Sequence, residues 1–167
     1  MENQAWKFSI VVVGALTIGA AVGDIVRASA QSGTTPPANS QQITVEVYKD
    51  PSCGCCSKWV EHLRKQGFTV RVTETHNIEA FKANHHVPGQ LWSCHTALVQ
   101  GYVLEGHVPA ADVQRLLKER PAIAGLAVPG MPIGSPGMEM PGSKAQAYDV
   151  VSFDKDRKSR VFASHGR

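Results

Sequence analysis

The sequence predicts an α/β domain with a mixed β-sheet and flanking helices. Short runs rich in β-branched residues alternate apolar and polar side chains, as half-buried strands do. Segments with helical spacing follow two of these runs, and a glycine turn joins two later ones. A strand–helix–strand crossover pairs its strands in parallel, whereas a tight hairpin pairs them antiparallel, so the predicted sheet is mixed.

The first predicted unit is β-α-β. Residues 43–48 alternate as a strand, and Asp50-Pro51-Ser52 ends it. A helix follows from Cys55, because apolar or small residues recur there at intervals of four, three and four: Cys56, Val60, Leu63 and Gly67. Residues 68–72 predict a second strand, and residues 77–84 predict a short helix that begins near a polar cap.

The next predicted elements are a hairpin and a third helix. Residues 96–99 and 102–105 flank Gln100-Gly101, where glycine supplies the positive φ that a tight turn needs. Pro109 suits the first turn of a helix that Pro121 ends. The resulting order, β-α-β-α-β-β-α, is that of the thioredoxin-like fold.

The last part of the chain is predicted to be a long irregular loop and a hairpin. Residues 121–146 contain five prolines and five glycines, together with three of the four methionines. Irregular stretches of this length are uncommon in compact domains without a functional reason. Residues 148–153 and 160–163 then predict a C-terminal hairpin around a charged turn.

Residues 1–30 have the three parts of a secretory signal peptide. Lys7 ends a polar start, an apolar run spans residues 8–23, and Ala28-Ser29-Ala30 is a cleavage site of small residues. The run has 16 residues, fewer than the roughly 20 of a membrane-spanning helix. We therefore expect cleavage after Ala30, export and no stable membrane insertion afterwards. A retained N-terminal anchor is the alternative.

The composition of the remaining chain predicts a linker and a folded domain, and it limits the classes of partner. Residues 31–42 lack large apolar side chains and predict a flexible linker, so the folded domain is expected over residues 43–167. The net charge of +3 and the aromatic content of 7% argue against a phosphate-tracking surface or a base-stacking platform. Nucleic acid is therefore excluded as an expected partner.

The chemistry of the sequence is concentrated in Cys53-Gly54-Cys55-Cys56, where a predicted strand meets a predicted helix. Unpaired backbone N–H groups at a helix start lower thiol pKa values, and thiolate is both a nucleophile and a soft-metal ligand. Cys53 and Cys56 have the C-x-x-C spacing of redox dithiols. Cys55 is a third sulfur that a two-electron dithiol does not require.

Cys94 supplies a fourth sulfur just before the third predicted strand, and the predicted topology directs it toward the other three. Four convergent sulfurs match the preference of thiolates for Cu(I). Disulfide bonding is an alternative in an oxidising compartment: a Cys53–Cys56 bridge would leave Cys55 free or paired with Cys94. Zinc is another, although structural zinc sites normally use two separated cysteine pairs.

Four further residues are candidates for supporting roles. The thioethers of Met131, Met138 and Met140 suit Cu(I), although methionine is also ordinary core filler. His95, next to Cys94, is a candidate ligand or a side chain that orients one, the alternative being a cap on a strand end. No role is assigned to His76 or His107.

The chain resembles the CopG-like copper-resistance family, small exported proteins with a thioredoxin-like domain. The resemblance covers residues 43–165 and rests on four stretches: residues 48–56 (YKDPSCGCC), 93–97 (SCHTA), 105–110 (EGHVPA) and 130–139 (GMPIGSPGME). It implies periplasmic copper handling by a multinuclear copper–thiolate cluster on the C-x-C-C cysteines and Cys94. It also implies interconversion of Cu(I) and Cu(II).

Two functions are therefore expected, a main one and an alternative. The first is copper resistance, with Cys53, Cys55, Cys56 and Cys94 holding Cu(I) and the methionine-rich loop covering or feeding the site. The alternative is a thiol–disulfide oxidoreductase in which Cys53 attacks and Cys56 resolves. Expected partners are copper ions and copper efflux or chaperone proteins. Catalysis as a copper oxidoreductase is left open, because binding a redox metal does not show turnover.

Overall fold

A computed structural model describes residues 42–166. The predicted signal peptide and residues 31–41 of the predicted linker lie outside this range. In chain order the elements are β1 (Thr44–Lys49), α1 (Gly54–Lys65), β2 (Thr69–Glu74), α2 (Ile78–Asn84), a 3-10 turn (Gly89–Leu91), β3 (His95–Val99), β4 (Tyr102–Glu105), α3 (Ala110–Glu119), β5 (Gly125–Ala127), β6 (Tyr148–Phe153) and β7 (Ser159–His165).

The seven strands form one mixed sheet in the order β2-β1-β3-β4-β5-β6-β7. β1 pairs in parallel with β2, as the predicted crossover requires, and antiparallel with β3. β3 and β4 form the predicted hairpin, with Gly101 at φ +88° in its turn. The predicted α/β class with a mixed sheet is therefore confirmed, and the elements up to α3 follow the predicted order.

One expectation about residues 121–146 is wrong, because this stretch is not irregular throughout. It contains β5, which pairs in parallel with β4 and antiparallel with β6. Gly125 lies so close to the Val103 carbonyl oxygen that a side chain there would overlap it. β5 thus connects the predicted C-terminal hairpin, which is confirmed as β6 and β7, to the main sheet.

Two apolar clusters hold the sheet. Alternate residues of β4 divide between them: Tyr102 and Leu104 belong to the larger cluster, and Val103 to the smaller. Helix α1 contributes Trp59 and Leu63 to the larger cluster, both with no exposed surface. The burial of these two side chains holds α1 against the sheet, and the start of α1 follows the end of β1 after four residues. Among residues 42–166, no helix has both the length and the apolar character needed to cross a membrane.

Candidate metal centre

The sheet register brings the four cysteines together. β1 and β3 run antiparallel with Lys49 opposite His95, so the residue before β3 lies beside the turn that leads into α1. That residue is Cys94, and Cys53 is the N-cap of α1. The Sγ atoms of Cys53, Cys55, Cys56 and Cys94 all lie within 4.8 Å of one another. The predicted convergence of the sulfurs is therefore present.

The four sulfurs differ in bonding state. Cys53 and Cys56 form a disulfide, whereas Cys55 and Cys94 are free thiols. The Sγ atom of Cys55 lies 3.6 Å from that of Cys53. Of the four, only Cys56 is fully buried. One disulfide and two thiols thus lie together in one partly exposed cluster, and reduction of the disulfide would provide four thiols there.

His107 is a residue of this centre to which the sequence assigned no role. Its Nε2 atom lies 2.9 Å from Sγ of Cys94, and its Nδ1 atom lies 2.7 Å from the Pro136 carbonyl oxygen. A carbonyl can only accept, so Nδ1 carries the proton and Nε2 directs its lone pair at Cys94. Metal-binding imidazoles commonly have this arrangement, in which the second nitrogen donates to a carbonyl.

His95 also contacts the Cys94 sulfur, and its ring lies edge-on to that of His107 with the ring centroids 5.1 Å apart. It has no exposed surface, its Nδ1 atom is 3.2 Å from Cys94 Sγ, and its ring is 4.3 Å from that of Trp59. Its Nε2 atom is buried without a hydrogen-bond partner among the residues described. Cys94, His95 and His107 therefore form a second donor group, whose atoms also lie within 4.8 Å of one another.

Burial sets the protonation of these groups. It lowers the pKa of His107 and lowers that of His95 further, so both imidazoles are neutral near pH 7 and can act as ligands. Burial, followed by the charge of Cys55, raises the pKa of Cys94 to about 12. The Cys94 thiol is therefore protonated without a metal, and a bound cation would replace its proton.

The methionine-rich segment, residues 130–140, is anchored at the centre. Ser93 Oγ donates to the Gly130 carbonyl oxygen, and the Pro136 carbonyl accepts from His107. Gly137 packs on the first turn of α1, where an added Cβ would lie 2.9 Å from the Cys55 carbonyl oxygen.

The exposure of the methionine side chains bears on their two expected roles, as copper ligands or as core filler. Met131 and Met140 are 53% and 52% exposed, so neither is core filler, while Met138 is partly buried. All three lie on the segment that is anchored beside the cysteines. Two of the thioethers are thus open to ions in solution.

The chain has relatives among proteins of known structure. Two solved structures, of copper resistance protein CopG in form 2 and form 1, are 41% and 42% identical to this chain, with TM-scores of 0.72 and 0.71. The matches cover 75% and 76% of this chain and 100% of each solved chain. A family model described as a protein of unknown function, DUF411, matches residues 91–138. No curated protein matches. Because the solved chains are covered in full at this identity, the chain belongs to the CopG family of copper resistance proteins.

Proposed function

We propose that the protein binds copper for copper resistance in the periplasm and holds Cu(I) between the thiolates of Cys53, Cys55, Cys56 and Cys94. The observation that carries this proposal is the placement of all four Sγ atoms within 4.8 Å of one another. Thiolates are soft donors that select Cu(I) over harder cations. The name of the solved relatives supports copper as the cargo.

The crowding of the sulfurs supports a multinuclear site. Three of them come from four consecutive residues at the start of α1, and Cys55 is free beside the Cys53–Cys56 disulfide. Separate binding of one ion by each sulfur would leave each ion short of ligands. Thiolates that bridge neighbouring ions remove that shortage, so a cluster of several Cu(I) ions is the arrangement that we propose.

The imidazoles extend the donor set beyond sulfur. Cys94 belongs both to the four-sulfur group and to the group with His95 and His107. Imidazole binds Cu(II) as well as Cu(I), whereas thiolate favours Cu(I). A mixed donor set next to an all-sulfur set supports the proposal that the centre holds copper in both oxidation states, so that an external one-electron donor or acceptor can interconvert Cu(I) and Cu(II) there.

The methionine-rich segment supports a route for the ion. Met131 and Met140 present thioethers to solvent, and Met138 lies one residue beyond Gly137, which packs against α1. Thioethers hold Cu(I) without needing deprotonation. We propose that this segment receives copper from, or passes it to, copper efflux or chaperone proteins.

The proposal is tested by anaerobic titration of the reduced protein with Cu(I), followed by elemental analysis. We expect several bound ions per chain, and fewer in a Cys55→Ser variant, because that variant removes a bridging sulfur. The same variant keeps the Cys53–Cys56 pair, so its thiol–disulfide exchange with a model disulfide serves as the matched control.

The Cys53–Cys56 disulfide is the observation that favours the second candidate, a thiol–disulfide oxidoreductase. In that case Cys53 attacks a substrate disulfide and Cys56 resolves the mixed disulfide. No bound copper in the wild-type protein, together with exchange activity that Cys55→Ser leaves intact, would replace the copper proposal with this one.

A further inference from the structure

A buried polar network lies behind Cys94 and contains none of the proposed ligands. Its members are Lys82 of α2, Thr96 of β3 and Glu105 of β4, with exposed fractions of 2%, 0% and 0%. Lys82 Nζ donates to Glu105 Oε1 at 2.5 Å and to Thr96 Oγ1 at 3.0 Å. Thr96 Oγ1 donates to Glu105 Oε2 at 2.7 Å. The three side chains thus form a closed triangle.

The Glu105 carboxylate also reaches the residue before Cys94. The backbone N–H of Ser93 donates to Glu105 Oε1 at 2.6 Å. Because Ser93 precedes Cys94 and Thr96 follows it by two positions, one carboxylate holds the chain on both sides of this cysteine. Gly106, the residue after Glu105, holds the same stretch from the backbone, because its N–H donates to the His95 carbonyl at 2.9 Å. It packs so close to Ser93 that an added Cβ would lie 2.5 Å from Ser93 Oγ.

Stability does not account for this pair. Removing two charges from water costs several kcal/mol for each ion, and apolar side chains of similar volume are often equally or more stabilising. In some proteins buried ionic groups instead fix one specific arrangement of the chain. Here the arrangement is that of residues 93–96, which contain Cys94.

We propose that the Lys82–Glu105 ion pair positions Cys94, holding its sulfur within reach of Cys55 and His107 so that this cysteine completes both donor groups. This inference rests on the proposed copper-binding function. Lys82 and Glu105 touch no copper; they act through the backbone on either side of Cys94. The pair also ties α2 to the centre through the Lys82 side chain.

The first test needs no metal. In a Cys53→Ser/Cys56→Ser background only Cys55 and Cys94 remain, and the equilibrium of their disulfide with glutathione measures the effective concentration of one thiol at the other. We expect Lys82→Met/Glu105→Leu, which replaces the pair with apolar side chains, to lower that value about tenfold or more. An unchanged equilibrium in a folded variant would overturn the proposal.

Three further variants calibrate the measurement. Lys82→Met/Glu105→Gln keeps an acceptor for the Ser93 N–H but removes both charges, so we expect an effective concentration between those of the native pair and the apolar pair. A value equal to that of the native pair would overturn the role of the ion pair. Arg115→Met/Glu119→Leu removes an exposed ion pair of α3 and should change nothing. Thr96→Val removes the one hydroxyl of the triangle and should lower the effective concentration of the two thiols about threefold. This single substitution keeps the test available if Lys82→Met/Glu105→Leu does not fold. No decrease in Thr96→Val would also contradict the proposal.

The second test is a double-mutant cycle on Cu(I) affinity, measured by competition with a chromophoric chelator. We expect the apolar pair to weaken binding when Cys94 is present and to add little in a Cys94→Ser background, because both changes remove the same ligand. Independent, additive losses would show a general structural role and overturn the proposal. If the wild-type protein binds no Cu(I), the proposed function fails, and the glutathione equilibrium still decides whether the pair positions Cys94.

Discussion

The Nε2 atom of His107 lies 2.9 Å from the sulfur of Cys94, while the Nδ1 atom of the same ring is bonded to the Pro136 carbonyl. The methionine-rich segment therefore fixes the tautomer of an imidazole that faces a free thiol. Through this one ring, a backbone carbonyl in the irregular part of the chain sets the donor properties of the centre. The position of that segment and the affinity of the centre for copper should consequently depend on each other.

Replacing His107 tests this relationship. We expect His107→Gln to weaken copper binding about tenfold or more, because it removes a neutral nitrogen donor next to Cys94. Competition with a chromophoric chelator measures the affinity. His76→Gln is the matched control, since the His76 side chain is 84% exposed and pairs with Asp50. Equal affinities for the two variants would remove His107 from the centre.

The Cys53–Cys56 disulfide should limit copper capacity. Its reduction consumes two electrons and two protons and gives two thiols, which increases the number of free sulfurs in the cluster from two to four. We expect a phosphine reductant to increase the number of Cu(I) ions bound per chain. In Cys53→Ser/Cys56→Ser, prepared with Cys55 and Cys94 as free thiols, the reductant should have no effect. The same number of bound ions in the oxidised and reduced wild-type protein would contradict this expectation.

Local sequence signals predicted the elements that carry the cysteines. Alternation marked β1, helical spacing marked α1, and Gly101 marked the β3–β4 turn, because each of these depends on neighbours within a few residues. Given those elements, the antiparallel pairing of β1 with β3 is enough to bring Cys94 next to the start of α1. β5 was missed because its three residues, Gly125–Ala127, are recognisable as a strand only by their pairing with β4 and β6.

The missed parts of the centre depend on distant contacts. The 105–110 stretch marked His107 as part of a motif, but its role depends on Cys94 and on Pro136, 29 residues away. Lys82 and Glu105 are charged residues that sequence patterns place at the surface, since such side chains are rarely buried unless paired. Their pairing across 23 residues joins a helix to a strand end, which no periodicity indicates.

The contact of Gly137 with α1 should be stabilising. Gly137 (φ +85°) and Gly142 (φ +79°) both have left-handed backbone, but only at Gly137 would a Cβ overlap neighbours, at 2.8 Å from the Trp59 backbone nitrogen. We expect Gly142→Ala to cost about 1 kcal/mol from backbone strain. Gly137→Ala should cost about 1–3 kcal/mol more from the overlap. Denaturant unfolding measures both values, and equal losses would mean that the segment does not pack closely on α1.

The stability of the metal-free protein should also depend on His62, which links α1 to α3. Its Nε2 atom accepts from the Ala110 N–H at 3.1 Å. Burial lowers the pKa of His62, Lys65 lowers it further, and Glu139 opposes the shift. The unfolded chain, with a histidine pKa of about 6.5, therefore takes up the proton before the folded protein does. The contribution of His62 to stability is complete above that pH and is lost as the pH falls through the folded-state pKa.

We expect His62→Gln, which keeps an acceptor but does not titrate, to lose less stability than the wild type between about pH 7.5 and 5. Parallel unfolding free energies of the two proteins across that range would show that His62 does not contribute to the acid sensitivity.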